Sequence, residues 1–298
     1  MSTTSKCGFV AIVGRPNVGK STLLNALIGK KISIISPKPQ TTRNQILGIK
    51  TTGETQIVYI DTPGLHDAEK RAMNRYMNRL ANAVILDADV IVFIIEATRF
   101  LSDDELVLKK VMDANVPVIL AINKIDKLND KKDILPLIEK YSAKYHFAHI
   151  IPISAKRKEN LESLQKTLLN MMPEGPHLFP DEQITDKNER FQVGEIIREK
   201  VIRATEQELP YSTTVVVESM KEEGKLVEIS AIIWVEREGQ KPIVIGKNGE
   251  RLKNIGTAAR KDIVKLLEKK VFLRLWVKVK SDWTDDEKAL GSLGFEGG

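Results

Sequence analysis

Gly14-Arg15-Pro16-Asn17-Val18-Gly19-Lys20-Ser21 fits the pattern G-x-x-x-x-G-K-[ST], the spacing with the most chemistry in this chain. Backbone N–H groups can wrap closely around phosphates only where no Cβ obstructs them, hence the glycines. Lys20 then carries its ammonium to the β- and γ-phosphates, and Ser21 offers a hydroxyl to Mg²⁺. A helix beginning at this loop adds the partial positive charge of its N-terminus. The strand-like run Phe9–Val13 before the motif and the helix-like run Ser21–Ile28 after it supply the required setting. The implied ligand is a nucleoside triphosphate.

The base is chosen by Asn123-Lys124-Ile125-Asp126. A carboxylate at Asp126 accepts hydrogen bonds from guanine N1–H and the 2-amino group, whereas adenine would leave it facing an unpaired acceptor. Asn123 reaches either the other base edge or the phosphate loop, and Lys124 lies over the ring. Ser154-Ala155-Lys156 places a backbone N–H where the guanine oxygen can take it. Between these motifs stands Asp61-Thr62-Pro63-Gly64. There Asp61 holds Mg²⁺ through water and the Gly64 N–H meets the γ-phosphate. Loss of that bond on hydrolysis frees the following segment, a switch by order and disorder. The loop 38–44 contributes a Mg²⁺-coordinating threonine, with Thr42 preferred over Thr41, so the metal set is Ser21, Thr42 and Asp61.

These motifs need rigid elements behind them. Strands are expected at Phe9–Val13, Ile46–Lys50, Gln56–Ile60, Val90–Ile95, Val116–Ile122 and His149–Ile153. Several are apolar throughout, as strands covered on both faces are. Helices are expected at Ser21–Ile28, Ala72–Asn82, Asp104–Met112, Asp133–Lys144 and Leu161–Met172, with Asp103 and Asn160 as N-caps. The fold class is therefore α/β, a doubly wound and mostly parallel sheet. Domains are expected at 1–172 (nucleotide binding), 173–189 (a Pro- and Gly-bearing linker) and 190–298. The last reads as a smaller α+β unit: a helix near Arg190–Glu206, Pro210, strands Thr213–Met220 and Leu226–Val235, a glycine loop, a helix to about Lys269, and a strand Val271–Val279.

The glycine loop is Ile245-Gly246-Lys247-Asn248-Gly249, a G-x-x-G followed by Arg251 and Lys253. Ile243 and Ile245 read as a strand-like run before it, and with Ile255 as an apolar floor on which bases lie. Charge is distributed to match. The 298 residues total +6, yet residues 1–50 and 245–280 each carry +8, leaving −10 for the remainder. Two positive segments are two candidate polyanion sites. A single cysteine, Cys7, excludes an internal disulfide and a cysteine zinc site, and it reads as a small packed residue. The longest apolar run, Val90–Ile95, is too short to span a bilayer, and no signal peptide is evident, so a cytoplasmic protein is expected. Trp234 and Trp276 read as core, while the stretch from Asp282 with Trp283 either packs on the second unit or flanks RNA.

GRPNVGKS, DTPG, NKID and SAK, in this order, resemble the translation-factor-related small GTPases. Leu65 stands where Ras-like members use a glutamine to orient water, as in the subgroup with a hydrophobic residue there. That resemblance implies a K⁺ ion held by Asn17 beside the phosphates, and a catalytic set of Lys20, Thr42, Gly64 and Asn17. His66 is open to a reading as a base and equally to one as an exposed loop histidine. The αββ…αβ order around G-x-x-G resembles the type II KH module, whose loop clamps a single-stranded tetranucleotide. Together the two halves, from Phe9 to Phe295, are similar to the Era family: an Era/TrmE-type GTPase domain followed by a KH domain. The similarity implies GTP/GDP as ligand and the 3′ end of 16S ribosomal RNA as partner. It also implies a role in 30S subunit maturation, a monomer, and peripheral contact with the inner membrane. Against this stand a passive KH RNA-binding protein with a scaffold nucleotide fold, disfavoured by intact Lys20, Ser21, Asp61 and Asp126, and a membrane-remodelling GTPase, which lacks a stalk here. NKID argues against an ATP-dependent kinase.

Overall fold

The computed structural model describes residues 4–36, 38, 41–64, 71–205, 209 and 212–295. Leu65, His66 and Pro210 lie outside the described residues. Packing divides the chain into two units.

The first unit is built on β1 (Lys6–Val13), β2 (Ile46–Thr52), β3 (Thr55–Asp61), β4 (Val90–Glu96), β5 (Val118–Asn123) and β6 (His149–Pro152). They form one sheet in the order β2-β3-β1-β4-β5-β6. Only the β2–β3 pair is antiparallel; the other pairs are parallel and need crossover connections. The helices are α1 (Lys20–Ile28), α2 (Ala72–Asp87), α3 (Ser102–Met112), α4 (Ile134–Ser142) and α5 (Leu161–Met171). Every residue of β4 and of β5 is buried, which is why neither shows polar alternation. Phe93, Ile95, Leu120 and Ile122 pack with Val107, Leu108 and Val111 of α3 and Val84 and Ile85 of α2. The C-terminal ends of β1, β3, β4 and β5 run into Gly14, Thr62, Ala97 and Lys124, the edge where open α/β sheets bind ligands.

Local details differ from the expectations. Asp103 does not cap α3: Leu101 is the N-cap, and its N–H donates to the Asp104 carboxylate at 2.9 Å. Asn160 does occupy the N-cap of α5, but its amide donates to the Pro152 carbonyl at 2.8 Å rather than capping. Residues 173–186 lie against the sheet. Cys7 N–H donates to the Pro173 carbonyl at 3.1 Å and Ile49 N–H to that of Ile184 at 2.9 Å. The buried Gln56 amide accepts from the N–H groups of Leu178 and Phe179 and donates to the Phe179 carbonyl.

The second unit contains α6 (Glu189–Ala204), β7 (Thr213–Glu223), β8 (Leu226–Val235), α7 (Lys241–Ile245), α8 (Glu250–Leu267), β9 (Lys270–Val279) and α9 (Glu287–Ser292). Its sheet runs β7-β8-β9, antiparallel then parallel. Ile197 and Val201 of α6, Ile229 and Ile233 of β8, and Ile255, Ala259 and Ile263 of α8 make the core. Ile34, Ile35 and Thr41 also belong to this unit, where the buried Arg198 donates to the Thr41 carbonyl at 2.5 Å and Arg203 to that of Ile35 at 3.1 Å.

This unit departs from the expectations in three places. Ile243 and Ile245 are not in a strand: they belong to α7, which Pro242 opens from the first turn, a position needing no N–H. Ile255 faces the core at 2% exposure and cannot floor an open groove. Trp276 is 44% exposed, because strand alternation puts it, with Phe272, Arg274 and Lys278, on the face of β9 opposite the core residues Val271 and Val277. The tail packs instead: Trp283 is fully buried, stacked on Phe295 at 5.9 Å. Trp283→Ala is expected to cost about 3–5 kcal/mol, to be checked as a fall in the urea midpoint of the transition that this unit reports.

Candidate functional site

The first site lies at the C-terminal edge of the six-stranded sheet. α1 starts directly from Gly19, whose φ of 111° is open to glycine alone at little cost. A Cβ there would overlap the Asn123 amide nitrogen, so the glycine also sets how closely the 14–21 loop and β5 approach. Lys20 is 6% exposed and its ammonium donates to the Gly14 and Arg15 carbonyls, both at 2.9 Å. Burial disfavours the charged form and brings its pKa from 10.5 to about 8.

Asp61 is wholly buried at the end of β3. Its Oδ2 accepts from Ser21 Oγ at 2.7 Å, Ser33 Oγ at 3.0 Å and Thr42 Oγ1 at 3.4 Å. Ser21 and Thr42 hydroxyls are themselves 2.8 Å apart. Asp61 Oδ1 has no hydrogen-bond partner among the described residues. Desolvation raises the Asp61 pKa, against the hydroxyls and Lys20, which lower it. A buried carboxylate with an unused oxygen beside two hydroxyls is an all-oxygen donor set of the kind that suits Mg²⁺. Thr41 is turned elsewhere, its hydroxyl donating to the Lys38 carbonyl at 2.7 Å. Ser33 was not among the sequence-read candidates, since a serine twelve residues past Ser21 belongs to no motif. Asn25 of α1 places it, accepting from the N–H groups of Ile32 and Ser33 at 2.9 Å each.

Gly64 approaches the loop so closely that a Cβ would come within 2.8 Å of Pro16 N. Thr62 donates to the Ile12 carbonyl at 3.1 Å, tying β3 to β1. Of the two alternatives for Asn123, the geometry selects the phosphate loop. Its Nδ2 donates to the Val18 carbonyl at 2.8 Å, and its Oδ1 accepts from Ala155 N–H at 3.0 Å. Lys124, at a left-handed φ of 66°, donates to the Asn17 carbonyl at 2.8 Å. Asp126 Oδ1 accepts from Ser154 Oγ at 2.5 Å, which fixes the carboxylate from the next loop. Ile125 and Asp126 begin a single 3₁₀ turn, and the exposed Lys156 follows Ala155. Arg15 contributes its carbonyl to Lys20, while its guanidinium turns into the protein toward Asp104 and Glu96.

A second site is the loop between α7 and α8. Gly246 (φ 74°), Asn248 (φ 52°) and Gly249 (φ 77°) are all left-handed or beyond, so the chain reverses within four residues. Lys247, Asn248, Arg251 and Lys253 are exposed, and Arg251 ties α8 to α7 by donating to the Ile243 carbonyl. An open groove of about 440 Å³ runs from Gly249 along α8 and β9, lined by Leu252, Lys253, Gly256, Arg260, Phe272 and Leu275 among others. The helix N-terminus, the cations and the apolar floor suit a phosphate backbone with attached bases.

These two sites define a P-loop GTPase carrying a KH domain. Residues 9–124 match the family described as 50S ribosome-binding GTPase, and residues 208–284 match the KH domain. Over 291 residues the chain is 52% identical to GTPase Era of Pseudomonas aeruginosa, covering 98% of this chain and 95% of that protein. It is 55% identical to GTPase Era of Haemophilus influenzae over 290 residues, 97% of this chain and 96% of that one. A crystal structure of Era with MgGDPNP and nucleotides 1506–1542 of 16S ribosomal RNA superposes with TM-score 0.94 at 43% identity, covering 98% of this chain and 99% of that one. A variant of Aquifex aeolicus Era bound to GDP and AlF₄⁻ also gives TM-score 0.94 at 43% identity, over 97% of this chain and 99% of that one. The chain belongs to the Era family and is a GTPase.

A polyanion on Lys20 restores its preference for the ammonium, so nucleotide binding must draw in protons where the free protein has begun to lose them. Proton uptake on GDP binding is expected to be near zero at pH 7 and to approach roughly half a proton or more above pH 8. Calorimetry in buffers of different ionisation enthalpy measures it; uptake that does not grow between pH 7 and 8.5 contradicts the assignment.

Proposed function

We propose that this protein is a GTP-driven switch whose KH domain holds the 3′ end of 16S ribosomal RNA during maturation of the 30S subunit. The observation that carries the nucleotide half is the Asn123 bridge, which joins the phosphate loop, the NKID turn and the SAK loop into one cradle. Gly14–Ser21 and Lys20 take the phosphates, and Ser21, Thr42 and Asp61 hold Mg²⁺, which supplies charge for the leaving phosphate. Asp126, braced by Ser154, reads guanine, and the Ala155 loop closes the base edge. Gly64 carries the γ-phosphate signal into the segment that follows. K⁺ on Asn17 completes the charge compensation. In this reading equal GTPase rates in K⁺ and Na⁺ would remove that ion.

The RNA half rests on the G-x-x-G loop, its cations and the groove beside it, together with the ribosomal RNA in the Era structure similar to this chain. The protein acts as a monomer in the cytoplasm, with peripheral contact at the inner membrane. No helix among the described residues is long and apolar enough to cross a bilayer.

Asp126→Asn is expected to weaken GTP and favour the xanthine nucleotide, because the asparagine amide donates to the oxo group replacing the 2-amino group. Competition of GTP and XTP for the loaded protein measures it, and unchanged preference refutes the base assignment. Replacing Lys247 and Arg251 by alanine should lower affinity for single-stranded RNA ending in the 16S 3′ sequence. It should also flatten the salt dependence, by about 0.7 of a unit of slope for each phosphate that no longer has a cation beside it. Indifference to both places the RNA elsewhere. The same titration with GDP and a GTP analogue separates a switch from a passive RNA-binding scaffold, which would show no difference.

A further inference from the structure

Glu96 ends β4 and is 2% exposed, yet four cationic side chains converge on it. Its Oε2 meets Lys124 Nζ at 3.0 Å and Arg15 and Arg99 at 3.2 Å each, and its Oε1 meets Lys127 at 3.4 Å. Asp104, also buried, takes Arg15 Nε at 2.8 Å. Arg99 and Lys127 are more than half exposed, so water screens their pairs with Glu96. Arg15 and Lys124 are the informative partners, because each belongs to one half of the nucleotide cradle. Lys124 also donates to the Asn17 carbonyl of the phosphate loop. Below them the backbone is continuous: Glu96 pairs with Asn123 in the β4–β5 ladder, and Ala97 N–H donates to the Asn123 carbonyl at 2.8 Å.

We propose that Glu96 is a positioning residue for guanine nucleotide: one buried carboxylate that locks the base-side Lys124 to the phosphate-loop Arg15 and so sets the distance between the two halves of the cradle. On the guanine reading the Lys124 stem packs over the base ring, and its ammonium must then be held at the far side. Asn17 O supplies one anchor and Glu96 the other, the latter charged. Burial pushes its pKa up, but the hydrogen bonds and charges of Lys124 and Arg99 together outweigh burial and bring it to about 2, so it stays ionised. Nothing in the G-x-x-x-x-G-K-S or NKID pattern specifies this carboxylate.

Glu96→Gln keeps the shape and removes the charge, which sets two effects in opposition. Electrostatics alone makes the site more positive and should slow loss of an anionic nucleotide, most visibly at low salt. Loss of positioning frees Lys124 and should hasten it. Dissociation of fluorescent mant-GDP, chased with excess GDP, is expected to speed up by about tenfold in E96Q, with kcat at saturating GTP within about twofold. A purely structural role would lower the thermal midpoint and the active fraction and leave the off-rate of folded molecules alone. An off-rate that is unchanged or slower overturns the proposal. If E96Q does not fold, Arg15→Lys, which cannot reach both Glu96 and Asp104 as a fork, must speed release in the same direction, and an unchanged off-rate again overturns it. The inference rests on the guanine-nucleotide reading of this cradle. Tight mant-GDP binding by the unaltered protein tests that reading separately, before any variant is made.

Discussion

The Asn123 side chain reaches from the end of β5 into two neighbouring loops, donating to Val18 and accepting from Ala155. That bridge is possible only because β5 carries no side chain exposed to water and because Gly19 has no Cβ to keep the amide away. A buried amide with both ends satisfied is rigid, and cutting either end would leave an unpaired polar group at a cost of about 1–3 kcal/mol. The phosphate loop, the base-reading turn and the SAK loop therefore hold one another in place. Phosphate and base recognition in this unit are one mechanical object rather than two adjacent motifs.

Charge is handled at the same edge by burial. Lys20 is hydrogen-bonded to backbone carbonyls and Asp61 to hydroxyls, so dipoles hold each in place while their opposite charges act at longer range. Such groups are poised for a ligand that is anionic on one side and cationic on the other, as a nucleotide with its metal is. Preorganised polar groups of this type need no rearrangement when charge develops during phosphoryl transfer. Glu96 and Asp104, just beneath, neutralise the cations that would otherwise repel one another around Arg15 and Lys124.

The second unit solves a different problem with a similar device. A helix begins where positive φ values turn the chain, and flanking lysines and arginines remain in water. Its groove is open to solvent, whereas the phosphate-loop end of the nucleotide cradle is built on buried groups such as Lys20, Asp61 and Asn123. The apolar lining comes from Leu252, Leu275 and Phe272, on α8 and β9.

Much of this was legible in the residues alone. The P-loop, DTPG, NKID and SAK motifs are local, and the elements around them follow from runs such as VIVFII that read as buried strands. The split of net charge into two +8 segments likewise needs no coordinates. Other features depend on neighbours far along the chain. Ser33 reaches Asp61 because Asn25 bends the intervening loop, and Trp276 faces outward because the core takes the opposite face of β9, that of Val271 and Val277. Ile255 turns inward because of the phase of α8 against the sheet, and Ile243–Ile245 form a helical turn where apolar composition reads equally as strand. Sequence by itself determined the motifs and the family to which they belong, since a motif is side-chain type at fixed local spacing. Only the tertiary structure decided that Glu96, Arg15, Asp104 and Lys124 form one buried cluster, because an ion network joins residues brought together by strand order rather than by separation along the chain.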